Sequence, residues 1–169
     1  MTRQPTSLES VAMKTNDTPW LDDTQQQAWR SFLQMSARLT ARLGQELQAD
    51  SELSLADFDV LVQLSETAGG RVRVLELASA LQWEKSRMSH HLARMTARGL
   101  IAREQCPQDR RGAFAVITEA GRSAIEAAAP QHVAAVRRYV FDALTAEQVD
   151  ALATVADRVL GRLSALPEG

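Results

Sequence analysis

Three histidines, one cysteine and a cluster of arginines are the residues of this 169-residue chain with obvious chemistry. His90 and His91 adjoin, and His132 lies far along the chain. Neighbours on a helix point about 100° apart, so the pair cannot grip one ion from ideal helical geometry. No Cys/His/Asp cluster at ligand spacing accompanies them, and no metal is expected. Near its pKa, His90 would instead tune an anion contact with pH. Cys106 is the only cysteine, which excludes an intrachain disulfide framework. A redox role would need an activating cation, for which Arg103 is the obvious neighbour. The plainer reading is an inert thiol at a strand end. Paired carboxylates, a nucleophile with its base and a Gly-rich phosphate loop are all missing, since Gly69–Gly70 reads as a turn. Neither an enzyme nor a cofactor is expected.

The arginines are more informative. Between Arg71 and Arg111 nine Lys/Arg meet four acids, a net of +5, which leaves ten basic and seventeen acidic residues, −7, elsewhere. A mildly acidic body with one basic segment suits local binding of a polyanion. Within it, Trp83–Ile101 (WEKSRMSHHLARMTARGLI) reads as an amphipathic helix closed by Gly99. Met88, Leu92 and Met95 form its apolar back. Lys85, Ser86, Arg87, Ser89, His90 and Arg94 form a basic, hydroxyl-bearing front. Arg87 suits a bidentate bond to a guanine edge, with a phosphate contact as the alternative. A solvated helix face is the plainer reading of the whole front.

The surrounding elements must hold that front in place. Residues 1–17 are polar and aperiodic, and a disordered or loosely held tail is expected. A first helix is predicted from Thr18 as N-cap and Pro19 at the first helical position to about Leu47. Its apolar set, Trp29, Phe32, Leu33, Met35, Ala37, Leu39 and Leu43, spreads around the circumference, so a partner subunit is the natural cover. Ser54–Asp57 caps a second helix with Phe58, Leu61, Val62 and Leu64 inward, ended by Ala68–Gly70. Arg71–Val74 reads as a short strand or an extended lead-in. A third helix, Leu75–Leu81, stands only Gln82–Glu84 away from the basic helix, which makes a helix-turn-helix. Trp83 reads as a core plug, with base stacking as an alternative. Strand, polar turn Pro107–Gly112 and strand follow, a hairpin with Arg110 and Arg111 near its tip. One arginine is expected in a minor groove and one paired with Asp109. A helix from Thr118 to about Phe141 should kink or break at Pro130. Thr145–Gln148 is a capping box opening a last helix with Val149, Leu152, Val155, Val159 and Leu163 on one side. No run of about 18 apolar residues exists to span a membrane. The N-terminal residues lack a cleavable apolar segment, which predicts a cytoplasmic protein.

In this order of elements the chain resembles the MarR (multiple antibiotic resistance regulator) family. The resemblance runs from about Trp20 to Leu163. Its most specific parts are LELASALQWEKSRMSHHLARMTARGLIAR at 75–103 and CPQDRRGAFAVITEAG at 106–121, with Asp109–Arg110–Arg111 followed by Thr118–Glu119–Ala120–Gly121. It implies a mainly α fold with a small β-hairpin: a winged helix-turn-helix at 54–117, flanked by dimerisation helices at 18–48 and 118–169. It implies a homodimeric repressor of a double-stranded operator, with Lys85, Ser86, Arg87, Ser89 and His90 facing the major groove and Arg110 or Arg111 at a minor groove. It further implies release by a small aromatic or phenolic effector, for which Trp20, Trp29, Phe32 and Arg38 are the candidate contacts. Glu84 at the N-cap of the basic helix, and Ser89–His90 where many members have Thr-Arg, depart from the family pattern. Two alternatives are a winged-helix interaction module without DNA binding and a redox-responsive regulator acting through Cys106.

Overall fold

The computed structural model describes residues 19–106 and 109–165, with the side chains of residues 109–111 left undescribed. Six α-helices and three strands follow one another in the described chain. They are α1 (Asp23–Ser51), α2 (Leu55–Glu66), β1 (Arg71–Arg73), α3 (Val74–Ala80), α4 (Lys85–Ala97), β2 (Ile101–Cys106), β3 (Asp109–Ile117), α5 (Glu119–Tyr139) and α6 (Ala146–Ser164). Short 3-10 turns occupy Ala68–Gly70 and Phe141–Ala143.

The chain divides into two compact units, residues 1–38 and 39–169. The described part of the first unit is an extended lead, Pro19–Asp22, and the first half of α1. The helix starts later than the sequence suggests. Asp22, not Thr18, caps it: its Oδ1 accepts from the Gln25 N–H at 2.8 Å, and Gln25 Oε1 accepts from the Asp22 N–H at 3.1 Å. Asp followed three residues later by Gln satisfies two orphan donors reciprocally, which Pro19 at the first helical position does not provide. Thr18 itself lies outside the described residues. Trp29 stacks on Phe32 with ring centroids 5.8 Å apart. Both rings remain half exposed, as do Leu33 and Met35.

The second unit holds the core. Leu53, Val60, Leu61, Leu64, Leu77, Met88, Leu92, Met95 and Ile101 are almost completely buried in one cluster. α2 begins with a reciprocal cap: Ser54 Oγ accepts from the Asp57 N–H at 3.1 Å, and Asp57 Oδ2 accepts from the Ser54 N–H at 2.9 Å. The strands form an antiparallel sheet of order β1-β3-β2, with Val72 opposite Ala115 and Arg103 opposite Ala115 from the other side. β1 is therefore a true strand, the third of the wing. β3 starts at Asp109, so Asp109–Gly112 lie in the strand and not in the turn. A register shift between Gln105 and Cys106 sets Cys106 opposite Asp109. Such an irregularity lets pairing continue through a polar stretch that reads as loop by composition. Pro107 and Gln108 lie outside the described residues.

Pro130 does not break α5, which runs through it. The bond that proline removes is the one to the Glu126 carbonyl, and both residues are exposed, so water can take that carbonyl. The far end of α5 is tied to the second half of α1. Glu46 accepts from Arg138 at 2.6 Å and from the Tyr139 hydroxyl, which itself accepts from Arg42 at 3.0 Å. α6 opens with the predicted box, Thr145 with Gln148. No α6 residue is buried, and Leu152, Val155, Val159, Leu160 and Leu163 lie open along it. No helix among the described residues is long and apolar enough to cross a membrane.

Three elements meet at the Thr118–Gly121 corner. The Thr118 hydroxyl caps α5 by accepting from the Gly121 N–H at 3.0 Å, and it lies 2.7 Å from the Gly99 carbonyl oxygen. A Cβ at residue 121 would fall well inside contact distance of the Leu100 carbonyl oxygen, a backbone atom that cannot swing away. Gly121→Ala is expected to destabilise the fold by about 3 kcal/mol, the upper range for overpacking. A urea titration followed by circular dichroism checks this through the midpoint.

Candidate nucleic-acid interface

α3, its turn and α4 build the front from the backbone outwards. α3 ends with Gln82 in the left-handed region, φ 53. The Gln82 N–H reaches the Ser79 carbonyl at 3.1 Å and the Trp83 N–H the Ala78 carbonyl at 2.8 Å, a helix-ending motif in which glycine is the usual residue. Glu84 then opens α4 with no side-chain cap, as its poor capping chemistry suggests. At the other end Gly99 (φ 73) completes the same motif, with its N–H to the Thr96 carbonyl and the Leu100 N–H to the Met95 carbonyl. α4 is thus shorter than the Trp83–Ile101 stretch, with both ends fixed by backbone bonds. Met88, Leu92 and Met95 are fully buried and hold it to the core.

On the opposite side Lys85, Ser86, Arg87 and His90 are exposed, and Ser89 is half-buried. Arg94 is exposed too, but its Nη2 lies 2.8 Å from His91 Nδ1 and so is turned away from the front. Arg87 lies over the Trp83 indole, with its guanidinium carbon 4.3 Å from the ring centroid. Trp83 is a partial plug, packed on the core by one side and open on the other. The backbone of Asp109, Arg110 and Arg111 is in β3, while the roles expected of their side chains lie outside the described residues.

Behind the front lies a polar cluster that sequence reasoning missed. Asp57 is 4% exposed and His91 6% exposed. Asp57 Oδ2 accepts from Arg98 Nη1 at 2.7 Å, and Arg98 Nη2 also donates to the Glu52 carbonyl at 2.8 Å. His91 Nε2 stands 3.1 Å from Asp57 Oδ1, off the direction of a full hydrogen bond. A guanidinium only donates, so Nδ1 of His91 accepts from Arg94 and the ring proton sits on Nε2, towards Asp57. Burial pushes the Asp57 carboxyl up, but His91, the Ser54 backbone N–H and Arg98 together outweigh it and hold the group well below the usual carboxylate range. Among the described residues no group of three His, Cys, Asp or Glu is arranged to hold a metal. The one available sequence signal was His91 falling in the 88–92–95 apolar stripe, where a polar ring needs a partner.

The effector candidates belong to the first unit. Trp20, Trp29, Phe32 and Arg38 are all exposed. A cavity lined by Leu43, Leu47, Ala128, His132 and Ala135 has about 20 Å³ of free space, room for one water. His132 there stacks on Phe58 with centroids 4.4 Å apart, and burial, opposed by Asp59, lowers its pKa. An open hollow of about 470 Å³ lies over Gln48, Glu52, Asp57, His91, Arg94 and Arg98. Cys106 is buried, and its described cation neighbour is Arg73, whose Nη2 lies 3.5 Å from Sγ, not Arg103.

A helix-turn-helix followed by a three-stranded wing defines the winged helix-turn-helix class. The MarR family model matches residues 53–112. AbsC, a MarR family transcriptional regulator from Streptomyces coelicolor, is 42% identical, with 88% of this chain and 100% of that chain covered at a TM-score of 0.82. Sco3205, a MarR family transcriptional regulator from the same organism solved in complex with DNA, is 39% identical, with 86% and 91% covered at 0.81. Sco5413, also from S. coelicolor, shares the fold at 19% identity, with 87% and 100% covered at 0.74. Comparison with curated proteins gives no significant match. The chain belongs to the MarR family of transcriptional regulators.

Asp57→Asn tests the cluster. With a folded-state pKa below the unfolded value of about 3.9, ionised Asp57 stabilises the protein above about pH 4, and that increment fades as pH falls through the depressed folded value. Replacement is expected to cost about 2 kcal/mol at pH 7, with the gap to the wild type narrowing steadily as pH falls below about 4. Urea unfolding at each pH measures it, and a gap that does not change with pH would mean that the charge is not what matters.

Proposed function

We propose that this protein is a homodimeric, sequence-specific DNA-binding repressor of a pseudo-palindromic operator, relieved by a small aromatic or phenolic effector. The observation that carries the reading is the division of α4 into a fully buried Met88–Leu92–Met95 back and an exposed Lys85–Ser86–Arg87–His90 front, next to the wing. A recognition helix needs that arrangement, with apolar contacts fixing its pose and donors free to meet base edges. Likeness to Sco3205, whose structure contains DNA, supports the same reading.

In this reading Arg87 bonds a guanine edge, Ser86, Ser89 and His90 meet bases or phosphates, and Lys85 adds phosphate affinity. Arg110 or Arg111 enters a minor groove and Asp109 orients the other. Residues 54–117 read the operator, and 18–48 with 118–169 pair the subunits. The open apolar rows of α1 and α6 support pairing, because each is too long to leave in water on a stable monomer. Trp20, Trp29, Phe32 and Arg38 are the effector contacts in the paired state. Burial of Cys106 gives no support to a redox mechanism.

Binding to a double-stranded upstream fragment and to random DNA at two salt concentrations tests the proposal. The upstream fragment is expected to bind tighter, and affinity for both should fall as salt rises, because phosphate contacts release counterions. Arg87→Ala should cost about 1–3 kcal/mol on the operator and far less on random DNA. Equal losses would make Arg87 a phosphate contact. Absence of both a preferred fragment and a salt slope would overturn the reading. Light scattering at micromolar concentration is expected to give the mass of a dimer, and a monomer would contradict the pairing role of α1 and α6.

A further inference from the structure

The geometry points to Trp83 as the positioning residue for Arg87: the indole face holds the guanidinium in place and leaves its donors free for a base edge. This rests on the DNA-binding reading above. Arg87 and Arg94 sit on the same helix and behave differently. Arg94 is engaged by His91, and the next arginine along, Arg98, by Asp57. Arg87 has no carboxylate partner among the described residues, and instead its guanidinium carbon lies 4.3 Å from the Trp83 ring centroid. A guanidinium over a ring is held by attraction to the π face and is paired with no carboxylate or carbonyl acceptor. A ring partner therefore restrains Arg87 without consuming the donors that a guanine O6/N7 pair requires. A carboxylate partner would consume them.

The platform itself is fixed on two sides. The Trp83 backbone N–H is bonded to the Ala78 carbonyl at 2.8 Å, in the turn that ends α3. Its indole meets the His91 ring edge-on, centroids 5.3 Å apart at 88°, and His91 is buried between Asp57 and Arg94. The indole cannot follow the guanidinium if it swings, so the stack narrows the conformations Arg87 must give up on binding.

Two measurements test the inference. Affinity for an operator selected from a random pool, and for random DNA, is compared among wild type, Trp83→Phe, Trp83→Leu, Arg87→Ala and the Trp83→Leu/Arg87→Ala double variant. Trp83→Leu keeps apolar bulk and removes the π face. It is expected to weaken operator binding about threefold, to leave random DNA unaffected, and to add nothing in the Arg87→Ala background. Trp83→Phe should stay near wild type. In the DNA-free protein, proton NMR should show the Arg87 side-chain methylenes shifted upfield by the ring in wild type and Trp83→Phe. That readout keeps the test decisive even if Trp83→Leu fails to fold. Additive losses in the double variant, equal losses on both DNAs, or unshifted Arg87 protons in the wild type would overturn the inference while leaving the DNA-binding reading intact. A wild type with no operator preference would overturn both.

Discussion

A carboxylate out of water must be surrounded by donors, and much of this structure depends on how Asp57 meets that requirement. Its place as the third helical residue of the α2 capping box supplies the Ser54 N–H, α4 supplies His91, and the end of the same helix supplies Arg98. One side chain thereby ties the start of α2 to the middle and the end of α4. Apolar contacts alone would hold α4 against the core but leave it free to rotate or slide by small amounts, because they are not directional. The Asp57 contacts are directional, and they set the rotation at which Arg87 and His90 point outward. The cluster also explains why one of two adjacent histidines is exposed and the other buried.

The wing and the helix-turn-helix depend on each other in the same local way. Gly99 ends α4, the Thr118 hydroxyl reaches the Gly99 carbonyl, and Gly121 lets the first turn of α5 approach the Leu100 backbone. The TEAG stretch that marks the family resemblance therefore has a steric basis. It is the corner at which α4, the sheet and α5 converge, and a side chain at residue 121 has nowhere to go. β1 pairs with β3 and runs directly into α3, so it joins the sheet to the helix-turn-helix. In the proposed reading, where a helix and a hairpin meet two grooves at once, such coupling keeps their spacing constant.

Open apolar surface on α1 and α6 is the counterpart of this closed core. Trp29 and Phe32 are 52% and 51% exposed, and α6 buries nothing at all. Capping boxes define both helices sharply, so they are well-formed elements without cover and not frayed ends. These open rows are the observation on which the proposed dimer rests.

What the sequence by itself determined was everything carried by local periodicity and capping chemistry. The Met88–Leu92–Met95 stripe, the stop at Gly99, the boxes at Ser54 and Thr145 and the hairpin strands all depend on residues within a few positions of one another. The expectations that needed revision depended on longer-range context. Thr18 gave way to Asp22 because the reciprocal bond with Gln25 outweighs a proline at the first turn. Pro130 proved harmless because it and Glu126 face water. Asp109–Gly112 joined a strand because backbone pairing outweighs polar composition. Only the tertiary structure decided that Asp57, His91 and Arg98, with Asp57 34 and 41 positions from the other two, form one cluster, and that Arg94 turns towards it. A single sequence carries the periodicity of each helix but not the rotation of one helix against another. Partners of buried polar groups are set by that rotation.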